Sequence, residues 1–173
     1  MHLRLHADER VPVDLLLPDL PGEWSTALID TNRTDRLAFM EGADVIWLML
    51  DGRALIEPQG RQLALHRASV AMQRVANFLT RLPPLIAVIS RRDLGDIPQS
   101  AIDDLQEEAA RLGFDLRIAT IASFADNGVV PAGTGIADLV NATIDGPQKA
   151  LIFWPNQTGP ASGRMIDRLR REG

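Results

Sequence analysis

The stretch ADVIWLMLDG, residues 43–52, decides the fold class of this protein. Within it, residues 45–50 are apolar without interruption and are flanked by single aspartates. A strand with one solvent-exposed face alternates apolar and polar residues. An unbroken apolar run instead indicates a strand that is covered on both faces, as in parallel sheets. The runs LIAVIS (85–90) and FDLRIATIAS (114–123) predict two further strands of the same sheet.

Helical patterns separate and follow these strands. Residues 61–82 place their apolar side chains on one face, a second helix is expected to begin at a Ser100 cap and end at Gly113, and GIADLVNATI (135–144) predicts a third. Strands that alternate with helices indicate right-handed crossovers. The predicted fold class is therefore α/β, a three-layer, mainly parallel sheet with helices on both faces.

The beginning of the chain has a different pattern. HLRLHA (2–7) alternates, and VPVDLLLP (11–18) follows after a polar turn, so the two predict an antiparallel hairpin at the edge of the sheet. The less regular stretch that follows predicts one helix at about 33–41. Farther along, the acidic residues of 103–108 are interpreted as a solvated helix face.

Composition restricts the classes of function. The 173 residues suit a single domain, and a net charge of −5 opposes broad binding to nucleic acid or to an anionic membrane. The chain has no cysteine, which excludes disulfides and thiolate metal sites and fits a reducing cytoplasm. No apolar run approaches the ~18 residues of a membrane span. A cytoplasmic protein that binds neither nucleic acid nor membrane is expected.

Ligands of doubly wound sheets bind beyond the carboxyl ends of the strands, so the residues at those exits are the candidate site. The first exit is DLPGE, residues 19–23. Asp19 can hold Mg²⁺ through water, Gly22 lets a backbone N–H approach a phosphate oxygen, and Glu23 can orient a water. The same five residues are also typical of an ordinary turn.

The other two exits form a candidate base site. After LIAVI, Ser90 and Arg91 lead to Asp93, whose carboxylate can accept two N–H bonds from a guanine edge while the arginine stem lies over the base. After LRIATI, Ala122 and Ser123 are small enough for backbone N–H groups to reach a base carbonyl. Each exit, taken alone, is also typical of a solvated loop.

The order of these motifs resembles that of a P-loop GTPase of the translation-factor and Ras-like class. The matching part of the family domain is the part that follows the phosphate loop. Asp19 and Gly22 match the D-x-x-G motif, and residues 90–93 resemble the N/T-K-x-D guanine motif. Ala122-Ser123 stands where the family has Ser-Ala, and GTGIADLVNATI resembles the helix opening that follows. The wording D-L-P-G-E-W is most similar to the bacterial double-GTPase proteins.

The resemblance covers roughly residues 1–145 of what is expected to be one domain. It implies that GTP or GDP binds with Mg²⁺, that Asp19 binds the metal, and that Glu23 is the catalytic residue. The nucleotide-binding residues that it implies are Asp19, Gly22, Ser90, Arg91, Asp93, Ala122 and Ser123.

The chain departs from the family at its phosphate loop. It contains no G-x-x-x-x-G-K-[ST], the loop whose backbone and lysine hold the phosphates. In the family this loop follows a central strand, and two neighbouring strands lose a partner without it, at ~1–3 kcal/mol for each buried polar group left unsatisfied. Three candidates can fill the gap: ALIFW (150–154) in a C-terminal strand–loop–helix extension (146–173), a partner chain, or a segment upstream of Met1.

Two functions from different classes remain open. The first is a GTPase-like domain that binds guanine nucleotides, is weak or inactive alone, and hydrolyses GTP only if a P-loop is supplied from outside this chain. The second is a non-catalytic pseudo-GTPase that acts as a protein-interaction or regulatory module, for which a protein partner is expected. Another doubly wound enzyme is a third alternative, for which no motif is visible.

Overall fold

The computed structural model describes residues 2–7, 10–18, 20–124 and 130–145. Within them, strands and helices alternate after an opening hairpin, as the sequence predicts. In chain order the elements are β1 (His2–Ala7), β2 (Arg10–Leu16), α1 (Gly22–Thr31), β3 (Ile46–Leu50), α2 (Gly52–Ile56), α3 (Pro58–Phe78), β4 (Leu85–Ile89), α4 (Gln99–Leu112), β5 (Leu116–Thr120) and α5 (Ile136–Ile144). The extension expected at 146–173 lies outside the described residues.

The three uninterrupted apolar runs form one parallel sheet in the order β3-β4-β5. The strands are in register, so that Leu50, Ile89 and Thr120 end the sheet in one row. The central strand β4 is buried along its whole length. An apolar sequence with no alternation gives this result because helices cover the sheet on both faces.

Helices cover the two faces of the sheet unequally. On one face, Ala87 and Ile89 pack with α3 and α4, whose buried residues include Met72 and Leu105. On the other face, Ile86 and Val88 pack with Leu139 of α5. The α/β class with helices on both faces is confirmed.

The predicted hairpin is confirmed as an antiparallel pair of β1 and β2, with a bulge between Leu5 and Ala7. It forms a two-stranded sheet of its own. In the described part of the chain, the only strand that pairs with β2 is β1, and the only strand that pairs with β3 is β4. The parallel sheet of the described residues therefore stops at β3.

Two predictions of helix position were wrong. The helix expected at about 33–41 is instead α1, ten residues that start at Gly22, and only a 3-10 turn (Ala38–Gly42) follows. Packing places α1, because its Leu28 is buried in the core and the helix contacts α3. Ser100 is not a cap either, because α4 starts at Gln99, and the carbonyl of Pro98 accepts the first helical N–H bond.

The interpretation of the acidic face of α4 was wrong for Glu108. Its carboxylate accepts hydrogen bonds from Ser69 (2.6 Å) and Gln73 (2.9 Å) of α3, and from both Nε and Nη2 of Arg111. The Arg111 hydrogen bonds, followed by those of Gln73 and Ser69, lower the pKa of Glu108 to about 2. The ionised carboxylate thus joins the two helices that cover this face of the sheet.

We expect Glu108→Gln to lower the free energy of unfolding by about 2 kcal/mol at pH 7. The pKa is lower in the folded chain than in the unfolded one, so this stabilisation is present above about pH 4.5 and is lost as the pH falls toward 2. Urea unfolding at several pH values measures it. Glu107→Gln, at the exposed neighbouring position, is the control. Equal effects of the two variants at pH 7 would contradict the assignment.

Candidate functional site

The exits of the three parallel strands lie side by side at the carboxyl edge of the sheet. The N–H of Ser90 donates to the carbonyl of Leu50 (3.0 Å), and the N–H of Ile121 donates to the carbonyl of Ile89 (2.8 Å). These bonds continue the strand ladder for one residue beyond β4 and β5. The second and third exits predicted from the sequence are therefore neighbours, as the parallel topology requires.

The loop after β4 is built to hold a carboxylate at this edge. Ser90 also donates its hydroxyl to the carbonyl of Leu50 (3.1 Å), and Arg91 adopts a left-handed conformation (φ 58°) that turns the chain. The N–H of Arg92 then donates to the carbonyl of Ile121 (3.0 Å), which ties the loop to the exit of β5. Asp93 follows in a 3-10 turn (Arg92–Leu94) and is only 8% exposed.

Asp93 is the one buried polar or charged side chain in the described part of the chain. A buried carboxylate is costly unless it has hydrogen-bond or ionic partners, so burial at a strand exit distinguishes it from an ordinary solvated loop residue. The other acidic residue of this loop, Asp96, is exposed. The structure therefore singles out Asp93 among the carboxylates of the second exit.

Asp51 is a residue of this edge that the sequence analysis did not select. Its carboxylate accepts the N–H of Arg53 (3.0 Å) and so caps α2, and it lies 3.4 Å from the Arg91 guanidinium. Both side chains of this ion pair are half exposed, so the pair contributes less than about 1 kcal/mol. The sequence feature that could have identified Asp51 is its position directly after the apolar run of residues 45–50, where it is followed by Gly52.

Two glycines allow the close packing of this edge. A Cβ at Gly52, the first residue of α2, would overlap the carbonyl oxygen of Ser90. A Cβ at Gly135, at the start of α5, would overlap the carbonyl oxygen of Thr120, and its φ of 81° already favours glycine. Both helices therefore begin in direct contact with strand-exit backbone.

At the third exit, the amide of Ser123 is accessible to a ligand and the amide of Ala122 is not. Ala122 is fully buried, and its N–H donates to the carbonyl of Thr134 (3.0 Å), while its own carbonyl accepts from Gly133 (2.7 Å). Ser123 is exposed, and Phe124 after it is 84% exposed. Of the predicted pair, Ser123 is the residue whose amide a ligand can approach.

The first exit is described only in part. Asp19 lies outside the described residues. Gly22 and Glu23 form the first turn of α1, where both are exposed and an added Cβ at Gly22 would meet nothing within 4 Å. Among the described residues, no hydrogen bond or ion pair joins these two to the exits of β4 or β5.

The oxygen ligands that the described residues place at this edge are already engaged. Asp51 is engaged with Arg53 and Arg91, and the Ser90 hydroxyl with a carbonyl. Across the described ranges, no group of three His, Asp or Glu side chains is arranged to hold a metal. The predicted metal site therefore depends on Asp19 alone.

The same ranges contain no helix with the length and apolarity to cross a membrane.

Comparison with protein-family models gives a match that covers most of the chain. The model described as Double-GTPase 2 matches residues 1–144, which contain every predicted site residue. Comparisons with curated proteins and with solved structures returned no match.

Proposed function

The chain belongs to the Double-GTPase 2 family, and on that premise we propose that the carboxyl edge of its sheet binds a guanine nucleotide. The family makes it a GTPase-like domain. The observation that carries the proposal is the buried Asp93, which the bonds of Ser90 and Arg92 hold beside the exit of β5.

The base-reading role belongs to the second and third exits. The two carboxylate oxygens of Asp93 accept the N1–H and N2–H of guanine, a pair of donors that adenine does not offer. The stem of Arg91 covers one face of the base, and the amide of Ser123 donates to the base carbonyl. Ser90 is a positioning residue, since its two bonds to Leu50 fix the start of the loop.

The phosphate side belongs to the first exit. In this proposal Gly22 brings a backbone N–H to the γ-phosphate, Glu23 orients the attacking water, and Asp19 holds Mg²⁺ through water. Mg²⁺ would neutralise charge on the phosphates. These 173 residues contain no Walker A lysine, so we expect binding with little or no turnover by this chain alone.

Three observations favour a second function, that of a pseudo-GTPase interaction module. The guanidinium of Arg91 is turned to Asp51, and the amide of Ala122 is already bonded to Thr134. The highly exposed Phe124 offers an apolar contact for a protein partner at the same edge. Either function fits a bacterial cytoplasmic protein that binds neither nucleic acid nor membrane.

Titration of the chain with fluorescent GDP, GTP and ATP, each with and without Mg²⁺, tests the nucleotide proposal. We expect GDP and GTP to bind within about ten-fold of each other, since without a phosphate loop only the Gly22 amide contacts the third phosphate. ATP should bind at least about ten-fold more weakly than either. Phosphate release should not exceed the buffer rate. Equal binding of ATP and GDP, or no binding at all, would leave only the interaction module.

A further inference from the structure

Among the described residues, strand β3 has one edge without a neighbouring strand, although its sequence is apolar. In the described chain it pairs with β4 alone, through bonds that run from the N–H of Ile46 to the carbonyl of Leu50. Backbone groups alternate sides along a strand, so the N–H and C=O groups of Trp47 and Met49 face away from β4. Met49 is also 57% exposed. An apolar strand whose outer N–H and C=O groups have no strand partner can pair with an additional strand.

Helix α5 runs from the carboxyl edge of the sheet back to its amino half. The helix begins against the exit of β5, where Gly135 contacts the Thr120 carbonyl. Near its other end, the Thr143 hydroxyl accepts a hydrogen bond from the Trp47 indole (3.0 Å). Trp47 is the second residue of β3, and the Arg117 side chain of β5 donates to the neighbouring Ala142 carbonyl (3.3 Å), so this end of α5 lies over the amino half of the sheet, between β5 and β3.

The face on which α5 lies fixes where a following parallel strand belongs. The crossovers from β3 to β4 and from β4 to β5 place α3 and α4 on one face, and α5 lies on the opposite face. Crossovers between parallel strands are right-handed, so a helix on the opposite face must lead back in the opposite direction. A parallel strand that followed α5 would therefore belong beyond β3, because the positions of β4 and β3 are already filled.

We propose that residues 150–154, ALIFW, add to the free edge of β3 as a fourth parallel strand. They lie outside the described residues, and their five residues equal the length of β3, β4 and β5. Their apolar, aromatic composition suits a strand covered on both faces. The four residues 146–149 span up to ~14 Å, enough to pass from α5 to a strand position ~4.8 Å beyond β3. The proposal does not depend on nucleotide binding.

Amide hydrogen exchange of the full chain tests this pairing. We expect the amides of Trp47 and Met49 to exchange at least ten-fold more slowly than in the Ile152→Pro variant, because proline cannot donate to a strand and distorts the pairing. Leu48, whose amide faces β4, is the internal control for an intact sheet. Gln157→Pro, outside the strand, should match the parent. Fast exchange of Trp47 and Met49 in the parent, or protection that survives Ile152→Pro, would overturn the proposal.

A disulfide experiment covers the case in which Ile152→Pro unfolds the chain. The protein has no cysteine, so Met49→Cys can be combined with cysteine at each of residues 151–154 in turn. Mild oxidation should give an intrachain disulfide at one or two of these positions, because neighbouring strands bring Cα atoms within bridging distance. Leu63→Cys, on the exposed surface of α3, replaces Met49→Cys as the control. Disulfide-linked dimers instead of intrachain bonds, or no bond at any position, would overturn the proposal.

Discussion

Gly52→Ala is expected to destabilise the fold by about 3 kcal/mol or more. The added methyl group would overlap the carbonyl oxygen of Ser90 and lie within 3.3 Å of the Ile89 side chain. A backbone carbonyl cannot swing aside as a flexible side chain can, so either α2 or the exit of β4 must move. Urea unfolding of the parent and the variant measures the loss through the shift of the midpoint.

Gly42→Ala is the matched control for Gly52→Ala. Its Cβ would meet nothing within 4 Å, so a stability change of less than about 0.5 kcal/mol is expected. Similar losses in both variants would mean that the close contact between α2 and the β4 exit does not hold the carboxyl edge. That result would also remove the structural basis on which the base site is proposed.

Asp93→Asn is expected to weaken GDP binding by at least about ten-fold, and to make xanthosine diphosphate the preferred ligand. Guanine presents two donors to the carboxylate, whereas an asparagine offers one acceptor and one donor, which suits the N1–H and C2 carbonyl of xanthine. Hydrogen bonds to charged groups contribute about 1.5–3 kcal/mol each. Competition titrations with the two diphosphates measure the exchange of preference.

Asp96→Asn makes the same change of charge at an exposed residue of the same loop and should leave both affinities unchanged. Because Asp93 is buried, thermal unfolding of Asp93→Asn must accompany the titrations, so that a misfolded loop is not mistaken for a lost base contact. Weaker binding of both diphosphates by a folded variant would count against base reading by Asp93.

The helices show which helix positions can be predicted from the hydrophobic pattern of the sequence alone. The buried positions Ala68, Met72 and Val75 of α3 follow the predicted face, because a 3.6-residue period repeats over a long stretch. The shorter α1 was misplaced, because its helical state depends on the burial of Leu28 against distant residues. The role of Glu108 was missed for the same reason, since two of its partners belong to another helix.

The candidate site divides in a similar way. The strand exits could be found from sequence, because an apolar run ends where the polar residues begin. The pairing of Arg91 with Asp51 could not, since it joins residues forty positions apart. The N–H of Ala122 donates to the carbonyl of Thr134, and no pattern in the sequence predicted that pair.

The sequence by itself determined the α/β class, the three parallel strands and the residues at their exits. Each of these follows from the local pattern of apolar residues, which are buried, and polar residues, which remain exposed to water. Only the tertiary structure decided that Asp93 is buried beside the exit of β5, that Asp51 holds Arg91, and that β3 ends the described sheet. Those contacts join residues far apart in the chain, and their free energy depends on distances that exist only once the sheet and its helices have packed.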